Sequence, residues 1–197
     1  GAVTVTATGN QKVQSIKIDP AAVDPDDVAI VSVDESGVHS RLTRAELRTE
    51  VDALARSLTD AGVVYGDVVA GYLPNCAESV VAMLATARIG AIWSSVGLDY
   101  APQAAVDRFT QLRPKALIAA DGYRFNGTIH ERGLAVDQIR SALAETLNYV
   151  IVLPRLGKDV PAGVTPWSAA TAQGSVGDRS VDFSHPLWVL FSSGTTG

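Results

Sequence analysis

Four short apolar runs recur along the chain with helix-like stretches between them: Val68-Val69-Ala70-Gly71-Tyr72-Leu73, Ala91-Ile92-Trp93-Ser94-Ser95-Val96, Ala116-Leu117-Ile118-Ala119-Ala120 and Tyr149-Val150-Ile151-Val152-Leu153. None alternates cleanly between apolar and polar, so each reads as a strand buried on both faces. A parallel neighbour needs a long crossover, and a crossover helix covers the sheet it crosses. The fold class expected is therefore α/β, a mostly parallel sheet with helices on both faces. In such sheets ligands bind beyond the carboxyl ends of the strands.

The flanking segments agree with that plan. Residues 1–27 carry many Thr, Gly, Asn and Pro with weak periodicity and read as an arm or vector-derived residue, leaving 28–197 as the folded body. Val28 to Val33 and Val38 to Leu42 flank Asp34-Glu35-Ser36-Gly37, which predicts a hairpin. Thr43-Arg44-Ala45-Glu46 is a capping box, so a helix begins there, with Leu47, Val51, Leu54, Ala55 and Leu58 on one apolar stripe and Gly62 as its left-handed stop. Asn75 and Glu78 are expected to cap a second helix. Its Val80, Val81, Met83, Leu84 and Ala87 are apolar on several sides, which predicts burial, and Gly90 ends it. Pro102 opens a third helix carrying Val106, Phe109 and Leu112, closed by Pro114, and a fourth runs from Leu134 to Ala144. Gly157 to Gly177 reads as a long surface connection with a short turn at Trp167-Ser168.

A further apolar run, Pro186 to Leu190, predicts a strand that leads into Phe191-Ser192-Ser193-Gly194-Thr195-Thr196-Gly197. Glycines there tolerate positive φ and let backbone N–H groups approach an anion, while Ser192, Ser193, Thr195 and Thr196 add uncharged hydroxyl donors. The composition is that of a phosphate-binding loop; the plain alternative is a surface turn. It is not a Walker A loop, since G-x-x-x-x-G-K-[ST] is absent from the chain.

Charge and composition exclude several classes. A net charge of −5 and a pI near 5.1 give no electrostatic footprint for nucleic acid or an anionic membrane. The sequence has no apolar run of about 18 residues and opens without a signal-peptide pattern, so a cytoplasmic location is expected. Cys76 is the only cysteine, and no Cys/His cluster has metal-ligand spacing, so no metal site is expected from these residues. Cys76 reads as a small buried hydrophobe, and His39, His130 and His185 as surface or structural residues.

Ser-Ser-Gly-Thr-Thr-Gly after a strand resembles the phosphate loop of the adenylate-forming enzymes, which include acyl-CoA synthetases, luciferases and peptide-synthetase adenylation domains. Leu42-Thr43-x-x-Glu46-Leu47 is similar to their opening element, with Arg44 where an aromatic is usual. Further stretches resemble the acetoacetyl-CoA synthetase branch, in the same order: Tyr72 to Asn75, Met83 to Ala87, Gly90 to Ser95, Val106 to Phe109, Pro114 to Ile118, Asp121-Gly122-Tyr123-Arg124-Phe125-Asn126-Gly127 and His185 to Trp188. The Asp121–Gly127 stretch is the one that points to acetoacetate. One departure follows Ser95, where the family's usual Cys-Ser-Pro-Asp-Phe-Gly is replaced by Val96-Gly97-Leu98-Asp99-Tyr100-Ala101.

The resemblance implies part of the large N-terminal domain of an acid–thiol ligase. ATP and a small carboxylic acid give an acyl-adenylate and pyrophosphate, and the thiol of coenzyme A then displaces AMP. Ser192, Ser193, Gly194, Thr195, Thr196 and Gly197 would hold the ATP phosphates with Mg²⁺, and Arg124 would contact a phosphate of CoA, which a guanidinium fork suits. The second basic residue usual soon afterwards is missing, Gly127-Thr128 standing there. An exposed arginine without a ligand is the alternative for Arg124. Trp93 and Trp188 read as core aromatics, against the walls of an acyl pocket, and Asp107 with Arg108 as a helix-surface pair. In the family the remaining active-site residues lie downstream of the phosphate loop, so the chain is expected to be an N-terminal fragment, inactive alone, whose uncovered surface favours self-association. The alternatives are a fragment of an acetate or propionate synthetase and a non-catalytic nucleotide- or CoA-binding module.

Overall fold

The computed structural model describes residues 3–7, 13–18, 24–35, 37 and 39–191. Its centre is one five-stranded sheet built of β5 (Val68–Tyr72), β6 (Ile92–Val96), β7 (Ala116–Ala120), β10 (Tyr149–Leu153) and β11 (Thr165–Pro166). Every pairing in it is parallel, and its order across the sheet is β11-β10-β7-β5-β6. Strands β5, β6, β7 and β10 are those expected. Helix α1 (Arg44–Asp60) packs on α2 (Ala77–Arg88), and α3 (Pro102–Leu112) packs on α4 (Gly133–Ala142). Of the first pair, α2 lies along β5 and β6 and α1 meets the β3–β4 hairpin, while α3 meets β5 and α4 meets β7. Three separate antiparallel hairpins accompany the sheet: β1 (Val3–Ala7) with β2 (Val13–Ile18), β3 (Val28–Val33) with β4 (His39–Thr43), and β8 (Gly122–Phe125) with β9 (Thr128–Glu131), each a two-stranded sheet of its own.

Local chemistry explains the boundaries. The capping box forms: the Thr43 hydroxyl accepts from the Glu46 N–H at 3.2 Å, and the Thr43 N–H donates to Glu46 Oε2 at 2.8 Å. Hydrogen bonds from the Thr43 backbone and hydroxyl hold the Glu46 carboxyl below its ordinary range. Val51, Leu54, Ala55 and Leu58 are buried, as the stripe predicts, and Gly62 follows the helix at φ 84°. A charge cluster then locks α1 to α2. Arg88 lies 2.8 Å from Asp52 and 3.2 Å from Asp178, and also donates to the Val176 carbonyl.

Several expectations need correction. Cys76, not Asn75, is the N-cap of α2, and no side chain caps it; Ser79 instead donates to the Pro74 carbonyl at 2.7 Å and ties down the entering loop. That helix buries Ala77, Val81, Ala82, Ala85 and Thr86, leaving Val80 exposed and Met83, Leu84 and Ala87 half-buried, because they border open grooves against β3 and α1. The 157–177 connection is not merely a loop: β11 joins the sheet, and α5 (Trp167–Ala170) buries Trp167 beneath it. The run from Pro186 to Leu190 makes one parallel bridge, Trp188 to Trp93, in place of a buried strand. Trp93 N donates to Leu187 O at 3.1 Å, Val189 N to Trp93 O at 2.9 Å, and Ser94 Oγ to Val189 O at 2.9 Å. With no described residue on its outer side, Leu187, Trp188 and Leu190 stay exposed.

Trp93 is a core aromatic, only 2% exposed, and its ring lies over Gly71 on the neighbouring strand. A Cβ at position 71 would stand 2.6 Å from two ring carbons of Trp93 and 3.0 Å from Ser95 Cβ. Gly71→Ala should therefore destabilise the chain by about 1–3 kcal/mol through overpacking. Urea denaturation checks this, and Trp93→Phe added to Gly71→Ala should recover part of the loss if the ring contact is the cause.

Candidate functional site

Strand order locates the site. After β5 the chain lays β6 on one side, then crosses back through α3 to lay β7 on the other. Loops from the carboxyl ends of β5 and its two neighbours therefore diverge, and the space between them is the topological switch point at which doubly wound sheets bind ligands. A cleft of about 590 Å³ lies there, walled by Leu73, Pro74, Asn75 and Ser79 after β5, by Ser95 to Asp99 at the end of β6, and by Tyr123 and Phe125 from the hairpin that follows β7. A slightly larger groove of about 650 Å³ runs between β3, α2 and the β6 edge, past Trp93 and Trp188. Position, not volume, favours the first, since the groove lies along a strand edge, not beyond strand ends.

The β8–β9 hairpin that forms one wall was not foreseen from periodicity. Its signal is Asn126-Gly127, two residues at φ 50° and 70° joining strands whose ends, Phe125 and Thr128, are paired. Positive φ at both central residues is what a tight type I′ hairpin requires, and Asn-Gly supplies it. The Glu35 carboxylate in the β3–β4 turn accepts from the N–H groups of Asn126 and Gly127, so one hairpin steadies the tip of the other.

Below the cleft, the loop after β6 is held by its backbone. Arg132 Nε donates to the Leu98 carbonyl at 2.6 Å, and its Nη2 lies 3.3 Å from the Tyr123 hydroxyl, with the guanidinium over the Tyr123 ring. The Tyr72 hydroxyl donates to the Tyr100 carbonyl at 2.9 Å, with the Leu98 carbonyl at 3.3 Å alongside. Burial pushes the Tyr72 phenol up, which keeps it a donor. None of this was legible in the sequence, because Arg132 and Tyr72 are sixty residues apart and meet only through the fold.

Arg124 is exposed on β8 between Tyr123 and Phe125, and its side chain has no hydrogen bond or ion pair among the described residues. Strand alternation turns it away from the face by which Tyr123 and Phe125 line the cleft, and it is not among the cleft's lining residues. Ser192, Ser193, Gly194, Thr195, Thr196 and Gly197 lie outside the described residues. The segment that leads to them is described: it runs parallel to β6 and so toward the same carboxyl edge as the cleft. Arg108 joins the two regions. Its guanidinium sits 5.0 Å from the centre of the Tyr100 ring and 5.7 Å from that of Phe191, and it donates to Ala104 O. It makes no pair with Asp107, whose carboxylate takes Gln103 instead, so the helix-surface pair read from the sequence is corrected. Trp188 is corrected too: at 44% exposure it borders the groove and is not a core residue.

The histidines that can be described are structural. His185 bonds the Gly90 carbonyl at 2.9 Å and stacks on Tyr65, and His130 stacks on Tyr123; the side chain of His39 lies outside the described residues. Among the described residues no three His, Cys, Asp or Glu gather as a metal site, and no helix is long and apolar enough to cross a membrane.

A parallel sheet with a cleft at its switch point defines a doubly wound α/β ligand-binding domain. The family model for the AMP-binding enzyme matches residues 19–197, and the chain belongs to that family. A second model, the YbaB/EbfC DNA-binding family, matches residues 1–33. Among relatives, the acetoacetyl-coenzyme A synthetase of Rhizobium meliloti (strain 1021) is 39% identical over 178 residues, covering 86% of this chain and 27% of its own length. Malonamoyl-CoA synthetase vrtB of Penicillium aethiopicum is 34% identical over 192 residues, covering 90% of this chain and 26% of its own length. The solved acetoacetyl-CoA synthetase from Streptomyces lividans superimposes with a TM-score of 0.84 at 45% identity, covering 88% of this chain and 27% of that one. The chain thus spans about a quarter of the length of the proteins it matches.

Cys76, half-buried at the start of α2, lines the groove beside the cleft. Burial and the nearby Glu78 carboxylate push its thiol up, with Ser79 Oγ 3.4 Å away. A raised pKa lowers the thiolate fraction at neutral pH, and the thiolate is the reactive form. Iodoacetamide at pH 7.5 should therefore modify the folded chain at least about tenfold more slowly than the same chain in urea. Equal rates, followed by intact mass, would show an exposed ordinary thiol.

Proposed function

We propose that this chain supplies the phosphate loop and the thiol-carrier cleft of an acid–thiol ligase that activates a short 3-oxo carboxylate, acetoacetate in the first place, with ATP and passes the acyl group to coenzyme A. The observation that carries the reading is convergence. The strand-like segment ending at Phe191 and the cleft under the β8–β9 hairpin open at the same carboxyl edge, so a triphosphate and a thiol carrier would meet there. The relatives' printed names, and the Asp121–Gly127 stretch, support the acid; the malonamoyl relative also acts, by its name, on an acid with a carbonyl at the same place.

The residues present fit these groups. Tyr123 and Phe125 offer apolar faces to the carrier, and the unpaired Arg124 fork between them on β8 suits a phosphate. Backbone and hydroxyl donors of 192–197 would neutralise charge on the leaving pyrophosphate, where electrostatic stabilisation of this chemistry is most needed. Mg²⁺ is taken as counter-charge carried by the phosphates themselves. Nucleic acid is not taken as a partner, because a chain of net charge −5 offers phosphate backbones little attraction. The reaction is taken to be cytoplasmic. In this reading the chain binds ligand without completing turnover, since it spans about a quarter of its relatives.

Calorimetric titration of coenzyme A into the chain is the direct test. Binding in the micromolar to millimolar range is expected, weakened about tenfold in Arg124→Ala as a charge-assisted hydrogen bond is lost. Binding indifferent to Arg124→Ala would remove Arg124 from the site, and no binding at all would sink the cleft assignment.

We also take the exposed edge at Leu187, Trp188 and Leu190, which are 57%, 44% and 71% exposed, as a surface through which copies associate. Sedimentation velocity should show a concentration-dependent dimer that Leu190→Asp abolishes. A wild-type monomer at every concentration would contradict this.

A further inference from the structure

We infer that Arg132 is a positioning residue: it holds the loop Gly97–Tyr100, the floor of the cleft, in the shape that receives a thiol carrier. The inference rests on the cleft assignment above. Three observations carry it.

The first is that the loop is fastened by a carbonyl and not by the side chains that face the ligand. Leu98 buries its side chain to 2% exposure, which turns its carbonyl toward the hairpin side, where Arg132 Nε meets it at 2.6 Å. Gly97 and Asp99, on either side, line the cleft. A carbonyl turned into a partly buried site must find a donor, and a charged donor holds it more firmly than a neutral one.

The second is that the same guanidinium grips the opposite wall. Its Nη2 is 3.3 Å from the Tyr123 hydroxyl, and its centre lies 5.3 Å from the centre of that ring. One rigid planar group therefore sets the spacing between the floor and the Tyr123 wall. A lysine could make either contact and not both.

The third is that Arg132 is itself fixed. It is the N-cap of α4, its N–H donates to the Asp121 carbonyl at 2.7 Å, and its carbonyl takes the Val136 N–H. The hydroxyl of Tyr72, from β5, meets the same two-carbonyl turn from below, and Tyr100 N closes that turn on Gly97 O at 3.2 Å. The loop is thus pinned between the sheet and α4, with Arg132 as the longer of the two pins.

Two measurements on the whole chain test this together: coenzyme A titration, and hydrogen exchange of the peptide covering residues 97–101. In Arg132→Met, coenzyme A should bind about tenfold more weakly and the 97–101 amides should exchange about tenfold faster, the loss expected for one charged hydrogen bond. Exchange in β5 and β7 should not change. Arg132→Lys should restore part of the affinity, and Tyr72→Phe, which keeps the ring, should loosen the loop less than Arg132→Met. Wild-type affinity in Arg132→Met overturns the proposal, as does an exchange increase spread over β5 and β7, the mark of a residue that merely stabilises the domain. If the wild-type chain fails to bind coenzyme A, the cleft assignment falls, and exchange alone then decides: a rise confined to 97–101 upholds the brace, and no rise overturns it.

Discussion

The constraint on which the rest depends is the reversal of direction after β6. Strand β5 is laid first and receives β6 on one side and β7 on the other, so the sheet grows from it in both directions. It is also the strand that must be thinnest. Val69, Ala70 and Tyr72 on it are fully buried, and Gly71 lets the Trp93 ring lie against its backbone. A side chain at 71 would push β6 away from β5, and with it the loop that floors the cleft. Packing at one glycine thus reaches the carboxyl end of the sheet and its cleft by a route of two strands.

Small residues elsewhere serve the same geometry. Strand β7 reads Ala-Leu-Ile-Ala-Ala and is wholly buried, and its small side chains let α4 approach it closely. The hairpin it feeds then leaves the sheet at once, because Asp121 accepts from Leu156 N and its own carbonyl takes the Arg132 N–H. One acidic residue therefore ties the exits of β7 and β10 and the start of α4 into a single corner. The hairpin is oriented by that corner at its base and by Glu35 at its tip, which keeps Tyr123 and Phe125 over the cleft.

Much of this was legible in the sequence, for stated physical reasons. Strands buried on both faces have no polar alternation to lose, and the capping box at Thr43 and the proline at 102 mark helix starts by chemistry that needs no tertiary context. The fold class and the position of the site at the carboxyl edge follow from those elements. What stayed hidden depends on contacts between distant residues. The cap of α2 shifted to Cys76 because Ser79 bonds back to Pro74, and β11 exists only because β10 offers it an edge. The strand expected at 186–190 reduces to one bridge, because pairing on one side alone does not bury an apolar run. Asn126-Gly127 was a readable hairpin signal that the family resemblance of the same stretch overshadowed.

The departure at 96–101 takes on a different meaning in the structure. Against the Cys-Ser-Pro-Asp-Phe-Gly of the family it resembles, this chain keeps the acid at Asp99 and an aromatic ring at Tyr100, and differs at 96, 97, 98 and 101. The two retained features are those the fold uses or exposes: the Tyr100 ring lies under Arg108, and Asp99 faces the cleft. At position 98 the fold requires a carbonyl for Arg132 and Tyr72 and an apolar body to bury, which leucine supplies as well as proline does. Position 97 is tighter: a Cβ there would run into Asp99 Oδ1, so a larger residue requires the Asp99 side chain to move, while Val96 is itself buried. Sequence variation in this loop is therefore expected to change the shape of the cleft while leaving its position fixed, because position is set by backbone groups that every residue carries.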